Sequence, residues 1–148
     1  MKAYKKILVA VDGGAAANKG LREALRLAKA ERAKLCILHV LDEFYAFAGL
    51  DGMAPLQDLV PAFREGGKRV LAKAEALARK HGVKPATLLR EVVGGPAAGP
   101  IVREARKQRA DLIVLGTHGR RGVRRLVLGS DAEQVVRTAS VPVLLVRS

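Results

Sequence analysis

Leu112-Ile113-Val114-Leu115-Gly116-Thr117-His118-Gly119 is the stretch whose reading decides the fold. Four apolar residues run without interruption into a glycine-rich loop, nine residues follow, and a helical pattern resumes at Gly129-Ser130. An unbroken apolar run of this kind reads as a strand buried on both faces, as in a parallel sheet covered by helices. The order strand, glycine loop, helix N-terminus also suits an anion. Glycine permits positive φ and close backbone approach, and successive N–H groups in such a turn form an anion-binding concavity. The first N–H groups of a helix lack intrahelical acceptors and carry the positive end of its dipole. The plain alternative is that Gly116 ends a strand and Gly129 precedes a helix, with no ligand. The spacing Gly-x2-Gly-x9-Gly-Ser matches neither the dinucleotide fingerprint nor a P-loop, and no Gly-Lys-Ser/Thr occurs in the chain. On spacing alone both readings stay open.

Working outward, the same alternation recurs. Lys6-Ile7-Leu8-Val9-Ala10-Val11 is a second buried run, ended by Asp12-Gly13-Gly14. Leu21, Leu25 and Ala28 then fall on one helical face. Leu35 to Val40 is a further short strand, with Cys36 and His39 inside it. Residues 42–66 carry glycines, prolines and the aromatics Phe44, Tyr45 and Phe47, and read as an irregular connection, a packed loop rather than a lid. A helix follows with Val70, Leu71, Ala74, Leu77 and Ala78 inward, a basic outer face and Gly82 as its C-cap. Thr87–Val93 has the mixed polarity of an edge strand. Pro100 suits the first turn of the next helix, with Ile101, Val102 and Ala105 inward. Asp111–Leu115 is the fourth strand, Ala132, Val135, Val136 and Ala139 mark the last helix, and Val143–Val146, opened by Pro142, is the fifth strand. Strands alternating with helices throughout predict one three-layer α/β domain over residues 1–148, with a parallel sheet and right-handed crossovers.

The 148 residues are 49% apolar, enough for a core. No apolar run approaches the roughly 18 residues of a membrane span. The start Met1-Lys2-Ala3-Tyr4-Lys5-Lys6 lacks the pattern of a signal peptide. The single cysteine, Cys36, has no intrachain partner and reads as a small core residue, a reactive thiol being the other possibility. Together these point to the cytoplasm. A net charge of +13 favours anionic partners without choosing among them.

Single residues carry two readings each. Asp12 stands at the carboxyl end of the first strand, where open α/β sheets bind ligands, and equally is a turn residue before two glycines. Ser130 to Glu133 fits a capping box. Asp131 would repel a bare phosphate but suits one that carries Mg²⁺. Arg120, Arg121, Arg124 and Arg125 either attract phosphate or form a solvated basic loop. No His, Cys and carboxylate cluster has metal-site spacing, and no Ser/His/Asp arrangement is recognisable from order alone.

Over essentially its whole length the chain resembles the universal stress protein family. The resemblance is carried by Ile7 to Gly13, Leu38-His39-Val40, Asp111 to Arg120, Leu128-Gly129-Ser130 and Val141 to Val146. It implies a five-stranded parallel sheet in the order 3-2-1-4-5 with helices on both faces. The site then lies where the order reverses, between strands one and four. The resemblance further implies ATP binding, because the glycine spacing of the nucleotide-binding members is kept. Asp12 and Val40 would contact the nucleoside. Gly116, Gly119, Gly129 and Ser130 would hold the phosphates. Read from the residues and not from the resemblance, Arg120 is expected beside them and Asp131 at nucleotide-bound Mg²⁺. The resemblance also implies a homodimer paired through Val143–Val146. The chain departs from the family at Gly13-Gly14-Ala15-Ala16, where a Ser or Thr is usual, and at Asp131-Ala132.

The expectation is therefore a cytoplasmic stress-response protein that binds ATP and acts as a regulatory or interaction module. It is not an enzyme beyond very slow ATP hydrolysis. The alternative is a nucleotide-free interaction protein that uses its basic surface on nucleic acid or an acidic partner. With three Phe, two Tyr and no Trp, a base-stacking platform is poorly supplied, and no sequence-specific nucleic-acid binding is expected.

Overall fold

Strand β1 (Lys6–Ala10) occupies the middle of the sheet, and Ile7, Leu8 and Val9 are fully buried. Its neighbours explain that burial. On one side β2 (Lys34–Asp42) pairs with it in parallel from Lys6↔Lys34 to Ala10↔Leu38. On the other, β4 (Leu112–Gly116) pairs from Ile7↔Leu112 to Val9↔Val114. The edges are β3 (Ala86–Val92), parallel to β2, and β5 (Val143–Val146), parallel to β4. The order is β3-β2-β1-β4-β5, as expected from the resemblance. The computed structural model describes residues 2–42, 56–118 and 128–148.

Period-two alternation splits the core into two layers. Ile7, Val9, Ile37 and Val114 face helices α1 (Ala15–Glu31) and α2 (Leu56–Lys80), where Leu21, Leu25, Leu71 and Ala74 meet them. Leu8, Leu38, Ile113 and Leu115 face α3 (Ala98–Lys107) and α4 (Ser130–Thr138), against Ile101, Ala105, Ala132 and Val135. Cys36 belongs to this second layer, and burial pushes its thiol pKa up, so the core reading of that residue holds.

Three expectations are corrected. Residues 56–66 are helical, not part of an irregular connection, since α2 begins at Leu56. Pro61 lies inside it, in an early turn where the missing N–H removes a single ladder bond. Gly67, inside the helix, serves contact: a Cβ there would stand 3.1 Å from Leu89 Cδ1 and 3.3 Å from His39 Cδ2, so the helix lies close on β2 and β3. The Arg64 guanidinium also forks onto Glu91 on β3. Second, Val136 is 48% exposed and does not belong to the inward face of α4. Third, the capping box is not made. The N-cap of α4 is Gly129, without a side-chain hydrogen bond, and the Glu133 carboxylate receives Arg137 instead, at 2.7 Å. By contrast Gly82 (φ +78°) terminates α2 as expected, with Val83 N–H donating to Ala78 O at 2.9 Å. The calls on Phe44, Tyr45 and Phe47 lie outside the described residues.

Candidate functional site

The strand order reverses between β1 and β4, and the segments leaving their carboxyl ends lead into α1 and, beyond residues 119–127, into α4. At the end of β1, Asp12 Oδ1 accepts the Gly14 N–H at 2.7 Å, and Gly13 takes φ +83°. This Asx-type turn swings the chain directly into α1. The N-cap there is Gly14, no side chain caps the helix, and its first turn holds no acidic residue. The leading N–H groups of α1 thus have no capping side chain, and the Asp12 carboxylate stands just before them.

The Leu38 carbonyl accepts the Val11 N–H at 2.8 Å, and Ala10 pairs with Leu38, so Val40 on the longer β2 comes level with Asp12. Beside it, His39 Nδ1 lies 2.7 Å from Val11 O. A carbonyl only accepts, so that nitrogen carries the proton. His39 is 8% exposed and acts as the packing residue expected of it.

On the β4 side, Gly116 is required by contact rather than by φ, and Gly129 sits in a tight contact. A Cβ on Gly116 would stand 2.7 Å from the Ala16 carbonyl carbon and 2.8 Å from Ala17 N. The end of β4 therefore meets the first turn of α1 backbone to backbone. Gly20, one turn further along α1, faces the same strand end: its Cβ would lie 3.4 Å from Gly116 N. Gly129 has φ −58°, and its N–H donates to Thr117 O at 2.7 Å. A Cβ there would be 3.1 Å from His118 Cα. Gly129 thus closes the intervening segment onto its own start, and its N–H is engaged in doing so. Ser130 and Asp131 follow in the first turn of α4, both exposed, at a helix end that no side chain caps. His118 is tied to its surroundings, with Thr117 Oγ1 3.1 Å from Nδ1 and Ser148 Oγ 3.2 Å from Nε2.

The structure therefore brings Asp12, Val40, Gly116, Gly129, Ser130 and Asp131 to the carboxyl edge of the sheet. Gly119, Arg120, Arg121, Arg124 and Arg125 lie outside the described residues. Sequence reasoning missed Gly20 and the Ala15–Ala17 turn of α1. The only signal for them was negative: no capping side chain and no acid where the helix starts. Among the described residues no group of three or more His, Cys, Asp and Glu could hold a metal. A single exposed carboxylate such as Asp131 fits a Mg²⁺ that arrives with phosphates, and does not fit a resident ion. No helix among the described residues is long and apolar enough to cross a membrane.

Comparison with known proteins agrees with this fold. The model of the universal stress protein family matches residues 3–147. A universal stress protein of Methanocaldococcus jannaschii is 36% identical over 144 residues, covering 97% of this chain and 82% of its own. The crystal structure of a universal stress protein family member from Burkholderia pseudomallei is similar at TM-score 0.78 and 38% identity, covering 98% of this chain and 97% of its own. The universal stress protein from Archaeoglobus fulgidus, whose structure is in complex with dAMP, is similar at TM-score 0.66 and 25% identity, with 99% of each chain covered.

Proposed function

Because the chain belongs to the universal stress protein family, we propose that it is a cytoplasmic stress-response module that binds an adenine nucleotide, ATP foremost, at the β1/β4 switch point. One observation carries the proposal: α1 and α4 both begin at this edge without a side-chain cap. Two such ends supply backbone donors and positive dipole to a phosphate chain. The relative in complex with dAMP supports the class of ligand.

In this reading Asp12 and Val40 border the nucleoside, and the first turn of α4, with Ser130 and Asp131, borders the phosphates. Gly116 and Gly129 act by shape, Gly116 bringing two backbone segments closer than a side chain allows and Gly129 leaving a Cβ only a tight fit. Gly119 and Arg120 complete the set from the sequence motif. Mg²⁺ bound with the nucleotide would screen phosphate from Asp131. Nucleotide occupancy would alter what the protein presents to a partner, which requires a different affinity for ATP in each state.

The protein would pair through β5, whose outer side is unpartnered among the described residues. The second reading, a nucleotide-free module acting through basic surface, is favoured by the cations gathered beside that same strand.

The test is direct. With no Trp, the purified protein absorbs weakly at 280 nm, so carried adenine shows near 260 nm. Titration calorimetry with ATP and AMP should show saturable binding. It should be lost in Gly119→Val, whose Cβ blocks close approach, and only reduced in Ser130→Ala. Equal binding by wild type and Gly119→Val refutes the site; no binding by wild type favours the second reading.

A further inference from the structure

Each described helix ends where the next strand starts, so the amino edge of the sheet, opposite the switch-point crevice, gathers helix C-termini and strand starts. This edge is strongly basic. Arg32 caps α1 and Lys34 opens β2. Lys80 closes α2, Lys84 precedes β3, and Lys107 closes α3. Lys5 stands before β1, and its carbonyl accepts the Lys34 N–H at 2.9 Å. These six side chains are exposed, and none makes an ion pair among the described residues.

The carboxylates at this edge are turned to the backbone instead. Glu31 accepts the Ala3 N–H at 2.8 Å, and Asp111 accepts the Lys5 and Lys6 N–H groups at 2.8 and 3.1 Å. A helix dipole accounts for a cation in the last turn or at the cap. It does not account for Lys5, Lys34 and Lys84, which lie on a strand start and in connections. Lys34 also stands in register beside Lys6. Like charges held together oppose the compact state, so folding alone gives no reason for them.

We infer that this edge docks a nucleic-acid duplex through its phosphate backbones, without reading sequence. Its breadth, shape and composition choose that occupant. With layers roughly 10 Å apart, the cations spread on the order of 20 Å from the end of α2 to the end of α3. A duplex presents two backbones across a groove about 12 Å wide, whereas an acidic peptide presents one line of charge. The large apolar side chains described as exposed are Val93, which follows β3, and Val136, in α4, so this edge offers none to insert into a bilayer. Tyr4, beside Lys5, packs against the core and is not free to stack on the bases of a single strand. Contacts to phosphate alone carry no sequence information. The sheet order sets β1, β2 and β3 on the side away from β5, so pairing of two copies through β5 leaves this edge open. The inference does not rest on nucleotide binding.

Fluorescence anisotropy with a short labelled duplex of mixed sequence, on the nucleotide-free full chain, tests it. Binding should be micromolar at about 50 mM salt, with a log–log salt slope of about −4 or steeper, since each neutralised phosphate contributes about −0.9. Lys34→Gln with Lys84→Gln, both outside helices, should flatten the slope by about 2 and weaken low-salt binding about tenfold. Arginine at both positions should restore slope and affinity. Arg69→Gln with Arg103→Gln removes the same charge from exposed mid-helix positions and should change binding much less. Unlabelled polyglutamate, a single strand and phosphatidylserine vesicles should each compete worse than unlabelled duplex at equal charge. Equal losses in the two double variants would show a response to net charge and not to this edge, and the inference would fall. It would fall equally if any of those competitors matched the duplex, or if wild type bound no duplex at low salt.

Discussion

A Cβ placed on Gly116 would lie 2.8 Å from the Cβ of Ala16, a hundred positions away in sequence, so the end of β4 and the start of α1 are fitted to each other without space for a methyl group. Both neighbours are backbone-bound atoms and cannot rotate aside. Gly116→Ala should therefore destabilise the fold by about 1–3 kcal/mol, the usual cost of overpacking. It should also weaken nucleotide binding by displacing the α1 N-terminus. Urea denaturation with parallel ATP titration checks both; an unchanged midpoint would show that α1 is not seated as described.

Arg90 on β3 and Glu104 on α3 make the one ion pair among those described that has a buried member: Arg90 Nε lies 2.6 Å from Glu104 Oε1, with side-chain exposures of 37% and 8%. Burial alone would push the Glu104 carboxyl up. The Arg90 hydrogen bond and charge, helped by Gln108 and Lys107, more than reverse this and hold it below its ordinary 4.5. The sign follows: with a depressed folded-state pKa, the contribution is present above about pH 4.5 and is lost as pH falls through the folded value. Stability of wild type relative to Glu104→Gln should shrink as pH drops below 4.5. Arg90→Ala strands the buried carboxylate and should cost about 2–3 kcal/mol, discounted for the partly exposed arginine. Glu104 Oε2 already lacks a hydrogen-bond partner among the described residues. Replacing both residues, as Arg90→Leu with Glu104→Met, should therefore cost less than the sum of Arg90→Leu and Glu104→Met made singly. Denaturant melts of the cycle decide it; additive singles would show that the two side chains are not coupled.

The proposed dimer through β5 carries its own signature. Leu145 presents the strand edge, and Lys19, Arg22, Arg26 and Arg147 surround it. Like charges brought together oppose assembly and are screened by salt. Sedimentation should show self-association at micromolar concentration that strengthens from low to moderate salt, and Leu145→Lys should abolish it. Association that weakens with salt, or persists in Leu145→Lys, would place the contact elsewhere.

Much of this was legible in the sequence because central parallel strands are apolar on both faces. Ile7–Val9 and Leu112–Leu115 could hardly be read otherwise, and the mixed polarity of β3 marked it as an edge. The start of α2 was not legible, because Pro61 and Gly66-Gly67 are breakers by local rules, and only contact with Leu89 and His39 shows why Gly67 belongs in a helix. Ser130 and Glu133 satisfied a local capping pattern that tertiary placement overrode. At the site, sequence spacing located the glycines but not their task. Neither Gly116 nor Gly129 is in the left-handed region, and both are fixed by atoms far outside any local window or across a closed loop.

The last prediction is that ATP is held and not turned over. Phosphoryl transfer at enzyme-like rates needs an oriented nucleophile and dense, fixed charge around the transferring group. The described part of the site offers helix N-termini, which bind phosphate, and carboxylates whose tasks are otherwise set. Asp12 holds the turn into α1 through Gly14, and Glu133 pairs with Arg137. His118, the nearest imidazole to Gly129, is engaged on both nitrogens. That leaves Asp131, exposed at the start of α4, as the residue to meet nucleotide-bound Mg²⁺. One carboxylate beside the phosphates strengthens binding without assembling a catalytic set. ATP affinity should therefore rise with Mg²⁺, and Asp131→Ala should reduce that gain while leaving AMP binding unchanged. Phosphate release should stay far below the roughly 1–100 s⁻¹ of kinases. A coupled phosphate assay with and without Mg²⁺ measures this. Steady metal-dependent release at enzyme-like rates, lost in Asp131→Ala or Ser130→Ala, would mean that the site is catalytic and that the binding-module reading is wrong.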